Sequence, residues 1–236
     1  DISYNGSYSP TTFTWLGSIE GFDIAWNPTR RVWGIVQADL LTNSIWFNEV
    51  TAFGLPLWPG AGIEIKQNVS TLFSSASPNS QHHTPAHYPR ISHHWKSDQY
   101  AIVWVEEYNP GGGIGPRVAF QNIEINTHVS PATVISSFGA ANYPSVTNNY
   151  QDHPSVAVNN NEPFLHGVGI SYWTYDTTAL PVSRFAAIVA RSDNPTSITS
   201  TTEVLGPHRV VSSTDVDDDN AGNLCFVWDG RGYVGA

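Results

Sequence analysis

The stretch His153-Pro154-Ser155-Val156-Ala157-Val158 sets a β-strand register, with a polar turn of three asparagines (Asn159, Asn160, Asn161) directly after it. An apolar run over 164–173 follows, then a loop, then a second run over 184–191. Short runs rich in β-branched and aromatic residues, separated by turn residues, read as antiparallel strands in succession. The same unit occurs at Tyr88-Pro89-Arg90-Ile91-Ser92, at Gly21-Phe22-Asp23-Ile24-Ala25-Trp26 and at Ser213-Thr214-Asp215-Val216. Aligned on Ile24, Ile91, Val156 and Val216, the four copies are 67, 65 and 60 residues apart.

A sheet-sized repeat of that length is the signature of a β-propeller blade. The expected fold is therefore all-β: a propeller with blades of about 60–67 residues, four-bladed or an incomplete part of a larger ring. The blades fall near 21–73, 87–137, 152–205 and 211–236, with an extra strand in 1–20, all in a single domain. In the first blade, strands are expected at 22–26, 31–38, 45–53 and 63–65; residues 74–87 read as an exposed linker, and 109–116 as a glycine-rich hairpin tip. Arg184-Phe185-Ala186-Ala187 echoes Arg117-Val118-Ala119-Phe120 at the same 67-residue spacing, a check independent of the anchors. Trp104, Trp173 and Trp228 close the second strand in three copies, where flat side chains fill the wedge between blades. A β-sandwich also accommodates the strands but leaves the repeat unexplained.

The last copy stops in what should be its third strand, while residues 1–20 offer strand-like segments with no blade of their own. One solution closes a four-bladed ring, with residues 13–16 completing the last blade and removing open sheet edges. The other is a larger propeller whose remaining blades come from further chain segments; the lack of any Met favours a processed or excerpted chain.

Charged residues make up only 13% of the 236-residue chain, against 12% aromatics, a balance that fits an extracellular all-β protein and not a helical bundle. The formal charge of −10 argues against nucleic acid as partner, since phosphate binding starts from a positive footprint. No apolar run approaches the ~20 residues of a membrane span. The lone Cys225 sits in the apolar run Leu224-Cys225-Phe226-Val227-Trp228, the setting of a small buried hydrophobe.

In a propeller, loops entering the innermost strands gather on one face around the axis. Four residues before the anchors stand Glu20, His87, Asp152 and Ser212, and next to these Gly21, Tyr88, His153 and Ser213. Glu20, His87, Asp152 and His153 converging there would bind a polar ligand or a divalent metal; the plainer reading makes them turn residues that cap strands. His93 and His94 are adjacent, so they face opposite sides of a strand and cannot both ligate one ion from it. With His82, His83 and His87 they offer a transition-metal site, or more simply a solvated polar linker. Asp215, Asp217 and Asp219 alternate in the densest oxygen cluster, which resembles the calcium loops of integrin-type propeller repeats and EF-hands and implies Ca2+. Asn220 stands where those loops carry glycine, and no acidic residue closes the loop. The alternative is a polar turn equivalent to the three asparagines of the preceding blade.

No Gly-x-Ser-x-Gly elbow, His-Glu-x-x-His or phosphate loop occurs, and the sialidase-type Ser-x-Asp-x-Gly-x-x-Trp box is absent. The Pro-x-Val/Ile strand followed by a Val-x-Trp strand resembles the degenerate blades of secreted bacterial propeller proteins, over about 210 residues. That resemblance implies a secreted or cell-surface protein and carries over no active site.

Two functions follow. The first is an extracellular binding module for glycan or protein, with Trp58, Tyr108 and Tyr175 as aromatic platforms. The second is a polysaccharide-active enzyme, glycosidase or lyase, at the channel mouth around Glu20, Asp23, His87 and Asp152. A structural role within a larger surface assembly fits the missing strands.

Overall fold

The computed structural model describes residues 19–39, 44–58, 62–66, 87–108, 115–124, 133–134, 149–162, 167–176, 182–190, 198–203 and 209–232. These residues form β-strands and turns and contain no helix. The first sheet runs in chain order through β1 (Ile19–Asn27), β2 (Val32–Asp39), β3 (Ser44–Thr51) and β4 (Ile63–Lys66). The second is β5 (His87–His94), β6 (Gln99–Tyr108), β7 (Gly115–Glu124) and β8 (Thr133–Val134). The third is β9 (Asn149–Val158), β10 (Val168–Asp176), β11 (Val182–Ala190) and β12 (Ile198–Glu203), and a pair, β13 (Arg209–Asp218) with β14 (Leu224–Gly232), follows. Every pairing is antiparallel between consecutive strands. The first strands of the four sheets pack beside one another in order, β1 on β5, β5 on β9 and β9 on β13. Separate meander sheets packed in sequence are not a two-sheet sandwich, so that alternative is set aside.

The four anchors occupy one register. Ile24 faces Ile35, Ile91 faces Ile102, Val156 faces Ile170 and Val216 faces Phe226 on the neighbouring strand. The core lies between sheets. One cluster joins Val36, Ala38, Phe47 and Ile65 of the first sheet to Ile91, Tyr100, Ile102 and Trp104 of the second. Another joins Ala101, Val103, Val105 and Phe120 of the second to Val156, Val158, Val168 and Ile170 of the third. Trp104 is fully buried, as a wedge filler should be. Trp173 and Trp228 have side chains outside the described residues.

A smaller regularity controls how closely the sheets approach. One position on each second strand is small: Gly34, Ala101, Gly169 and Cys225, opposite the residue after the anchor. A Cβ on Gly34 would come within 2.4 Å of the Tyr100 ring, and one on Gly169 within 2.8 Å of Leu224. Tyr100 and Leu224 are themselves equivalent, each lying two residues before the anchor's partner. The first and third sheets therefore each offer a socket that receives a large side chain from the next. Glycine is required in the first because an aromatic ring fills the place of any side chain.

At the far end of the inner strands, a side chain caps each turn. The Asn27 Oδ1 accepts from the Arg30 N–H at 3.0 Å and the Asn159 Oδ1 from the Asn161 N–H at 3.0 Å. The Asp219 Oδ1 accepts from the N–H groups of Ala221 (2.8 Å) and Asn223 (3.0 Å). His94 does the same with a ring nitrogen: its Nε2 faces the Glu162 carbonyl at 3.1 Å and must carry the proton, leaving Nδ1 to accept from the Ser97 N–H at 3.2 Å. The turns then bond to each other. The Thr29 hydroxyl donates to the Trp95 carbonyl at 3.0 Å, the Trp95 N–H to the Asn160 Oδ1 at 3.0 Å, and the Asn160 N–H to the Asp218 Oδ2 at 3.3 Å.

Three expectations need correction. His87, His93 and His94 belong to strand β5, not to a linker. His93 and His94 are buried, because β5 is an inner strand covered on both faces, and they do face opposite ways: His93 toward Asp98 at 3.2 Å, His94 toward Glu162 of the next sheet. Cys225 is exposed, since no sheet among the described residues covers its face of β14. Residues 13–16 and the histidines His82 and His83 lie outside the described residues.

Candidate functional site

Each inner strand is irregular shortly before its anchor. The register shifts between Ile19 and Phe22 in β1, between His87 and Arg90 in β5, between the partners of Ser171 and Trp173 in β9, and between Val211 and Ser213 in β13. Such bulges re-aim side chains at strand ends. In the first three sheets the residue three before the anchor has positive φ: Gly21 at 125°, Tyr88 at 51° and His153 at 51°. These residues, some 65 apart in sequence, meet. The Tyr88 and His153 rings stack with centroids 4.6 Å apart and planes 29° from parallel. A Cβ on Gly21 would lie 3.9 Å from the Tyr88 Cα. The Thr214 hydroxyl completes the row by donating to the His153 carbonyl at 3.3 Å. His153, one of the expected site residues, is therefore brought to its repeat equivalents.

The residues one before each anchor were not singled out as a set, yet they form the polar part of this region: Asp23, Arg90, Ser155 and Asp215. An inner strand leaves one edge unpaired, and its N–H groups need acceptors. The Asp23 carboxylate takes the Ile24 N–H at 2.9 Å through Oδ1 and the Ile91 N–H of the next sheet at 3.0 Å through Oδ2. The Asp215 Oδ1 accepts from the Val216 N–H at 2.9 Å and from the Ser155 hydroxyl. Arg90 donates to the Pro89 carbonyl at 3.0 Å. Burial holds the Asp23 carboxyl above its ordinary range; its two backbone hydrogen bonds and the charge of Arg90 oppose this, while the negative charge of Asp215 adds to it. The signal was present in the sequence as a charged or hydroxyl residue at one fixed offset from every anchor.

The other expected residues are placed as follows. Glu20, His87 and Asp152 lie in the inner strands β1, β5 and β9, with side chains outside the described residues. Tyr108 ends β6 and Tyr175 lies in β10, and their side chains are likewise undescribed. Trp58 is half-buried against the core, its ring 5.7 Å from that of Phe47. Its backbone is held at both N–H and C=O by the Asn48 amide, at 3.4 and 3.2 Å.

Asp215 and Asp217 stand in strand β13, not in a loop, and only Asp219 enters the turn. Asp217 accepts the Asp218 N–H at 2.8 Å. Both Asp219 oxygens serve the turn, Oδ1 on the backbone and Oδ2 from the Asn223 amide at 2.7 Å, and these bonds hold its carboxyl below the usual range. Among the described residues no three His, Cys, Asp or Glu side chains gather as metal ligands. The turn packs on that of the preceding sheet, with the Asn161 amide donating to the Ala221 carbonyl at 3.2 Å. Among the described residues no helix is long and apolar enough to cross a membrane.

No family model matches the chain, and no curated protein matches it in sequence. Among solved structures, a Penicillium chrysogenum alpha-L-arabinanase complexed with arabinobiose is similar at a TM-score of 0.39 and 8% identity, over 92% of this chain and 78% of that one.

Proposed function

We propose that this chain is a carbohydrate-binding module of propeller architecture that works outside the cell, with its site at the start of the inner strands. The observation that carries the reading is the Tyr88–His153 stack, at 4.6 Å, beside the row Asp23, Arg90, Ser155 and Asp215. Sugars present apolar ring faces and many hydroxyls. Aromatic rings meet the first, while carboxylates and a guanidinium meet the second as fixed acceptors and donors. The same groups suit a polar loop of a protein partner less well, because apolar anchors dominate such interfaces. A calcium role for Asp215, Asp217 and Asp219 would require Asp219 to exchange its turn hydrogen bonds for an ion.

The test is calorimetric titration with a panel of neutral pentose and hexose oligosaccharides. At least one is expected to bind, and Tyr88→Asn to weaken it about tenfold or more, as expected for loss of an aromatic anchor. Asparagine is chosen because it tolerates the positive φ at that position. A wild-type protein that binds none of the panel, or a Tyr88→Asn variant that binds as well, overturns the reading.

One feature favours a second reading, cleavage of the glycan. Burial holds the Asp23 carboxyl above its ordinary range, beside the Tyr88–His153 stack, as a general acid requires. Release of reducing sugar by the wild type and not by Asp23→Asn would decide for it.

A further inference from the structure

Surface turns are usually built from polar residues, glycine and proline. The segment after β3, Ala52-Phe53-Gly54-Leu55-Pro56-Leu57-Trp58, carries no charged, hydroxyl or amide side chain. Trp58 turns inward onto the core. The leucines and the phenylalanine do not: Phe53 is 92% exposed, Leu55 60% and Leu57 41%. Their exposure does not come from a slack chain. The Gly54 N–H donates to the Thr51 carbonyl at 2.9 Å, and the Thr51 N–H to the Leu55 carbonyl at 2.9 Å. The Leu55 N–H reaches the Thr51 hydroxyl at 3.1 Å, the Leu57 N–H reaches the Glu49 carbonyl at 2.8 Å, and Pro56 bridges back to Val50. Gly54 turns the chain at a φ of 79°, and apart from its chain neighbours no atom stands within 4 Å of the place its Cβ would take. A bonded backbone therefore holds three apolar side chains out on a convex tip.

The β1–β2 turn lies beside this tip, since Val32 pairs with Thr51. It brings Arg30, which is tied to Glu49, and the exposed Arg31. The β5–β6 turn joins on through the Thr29 hydroxyl and the Trp95 carbonyl. Trp95 is 45% exposed there, and the Lys96 ammonium lies 5.3 Å from the centre of its ring. The carboxylate of that turn, Asp98, is taken up by Asn27 and His93. The turns of the third and fourth sheets, 159–162 and 219–223, carry Glu162 and Asp219 and no cation. Apolar tip, exposed indole and cations thus share one side of the turn end, with the carboxylates on the other.

Exposed apolar groups rimmed by polar ones mark a protein or a membrane contact. Protein interfaces concentrate their energy in one packed central cluster that fills pockets of the partner. A convex tip beside a separate indole suits a bilayer boundary better, because fluid lipid takes up projecting side chains without a matching hollow. Indole rings and basic side chains sit at headgroup level in such contacts. We propose that this end of the first two sheets docks on a zwitterionic phospholipid bilayer. Phe53, Leu55 and Leu57 enter below the headgroups, Trp95 lies among them, and Arg31 and Lys96 meet the phosphates. The formal charge of −10 sets the lipid as zwitterionic, since an anionic surface would repel the rest of the chain. The contact lies at the opposite end of the inner strands from Tyr88 and His153, so it leaves those residues facing away from the bilayer. It stands whether or not a sugar binds there.

Sedimentation of the full chain with sucrose-loaded phosphatidylcholine vesicles tests the proposal. The protein is expected to enter the pellet in proportion to the lipid. Phe53→Ser should lower the partition coefficient by about tenfold or more, as expected for the transfer of one large apolar side chain. Leu55→Ser should lower it as well. Both side chains stand outside the core, so both variants keep the fold. Val227→Ser removes an apolar side chain that is 54% exposed on β14, and it should bind as the unchanged chain does. A protein that stays in the supernatant overturns the proposal, as does a Phe53→Ser variant that binds equally well. An equal loss with Val227→Ser overturns it too, by marking indiscriminate apolar adhesion. So does a dimer in lipid-free sedimentation velocity that Phe53→Ser dissociates, which would make a second copy the occupant.

Discussion

Gly34→Val is expected to lower the free energy of unfolding by about 3 kcal/mol, the upper part of the usual range for an overpacked core. The place of the new Cβ is 2.4 Å from a carbon of the Tyr100 ring, so one of the two must move. Tyr100 is poorly able to. Its ring lies between Phe47 at 4.9 Å and His93 at 4.6 Å, and its hydroxyl donates to the Glu49 carboxylate at 2.8 Å. The strain therefore separates the first two sheets. Urea unfolding checks this: the midpoint should drop with the slope unchanged, and an unchanged midpoint would remove the socket argument at this site.

Arg30→Ala is the second large effect. Glu49 is fully buried between the first two sheets and is held by the Arg30 guanidinium at 2.8 Å and by the Tyr100 hydroxyl. Taking one partner from a buried ion pair leaves an uncompensated charge, at roughly 3–5 kcal/mol. Arg30 is 31% exposed, so solvent already screens part of the attraction and the expected loss is about 2 kcal/mol at neutral pH. Burial already raises the Glu49 carboxyl above its ordinary range, against the lowering by Tyr100 and Arg30. Without Arg30 it rises further. A carboxyl whose folded pKa exceeds the unfolded value contributes most below the unfolded value and loses that contribution as pH climbs through the folded one. The difference between variant and wild type should therefore shrink as the pH is lowered toward the carboxylate range. Adding Glu49→Gln should flatten that dependence, and thermal unfolding across pH measures both.

The strand order and the four anchors were legible because a half-buried strand writes its register into alternating residues, and Ile24, Ile91, Val156 and Val216 do occupy one register. What was illegible depends on contact between sheets. The bulges before the anchors displace side chains by a residue, which no alternation pattern records. The polar row Asp23, Arg90, Ser155 and Asp215 lies past those bulges, at one offset from every anchor, but its part in bonding one sheet to the next, as Asp23 does with the Ile91 N–H, depends on the packing of sheets and not on alternation. His93 and His94 read as solvated from their composition, but an inner strand has neighbours on both faces. Cys225 read as buried from its apolar run, yet burial there depends on a following sheet. The aspartates of the last copy read as a loop because strand and turn share one acidic run, and the pairings of Asp217 with Cys225 and Asp218 with Leu224 show that the strand continues.

Throughout, residues about 65 apart in sequence are held to touch because sheets stack by knobs and sockets. A double-mutant cycle on Gly34 and Tyr100 tests that most directly, using Gly34→Ala and Tyr100→Val to copy the Ala101 and Val168 pair of the next interface. Each change alone is destabilising, the first by crowding and the second by a cavity and an orphaned Glu49 hydrogen bond. Together they should cost less than their sum by about 1 kcal/mol or more, the coupling of residues in contact. Strict additivity would contradict the account.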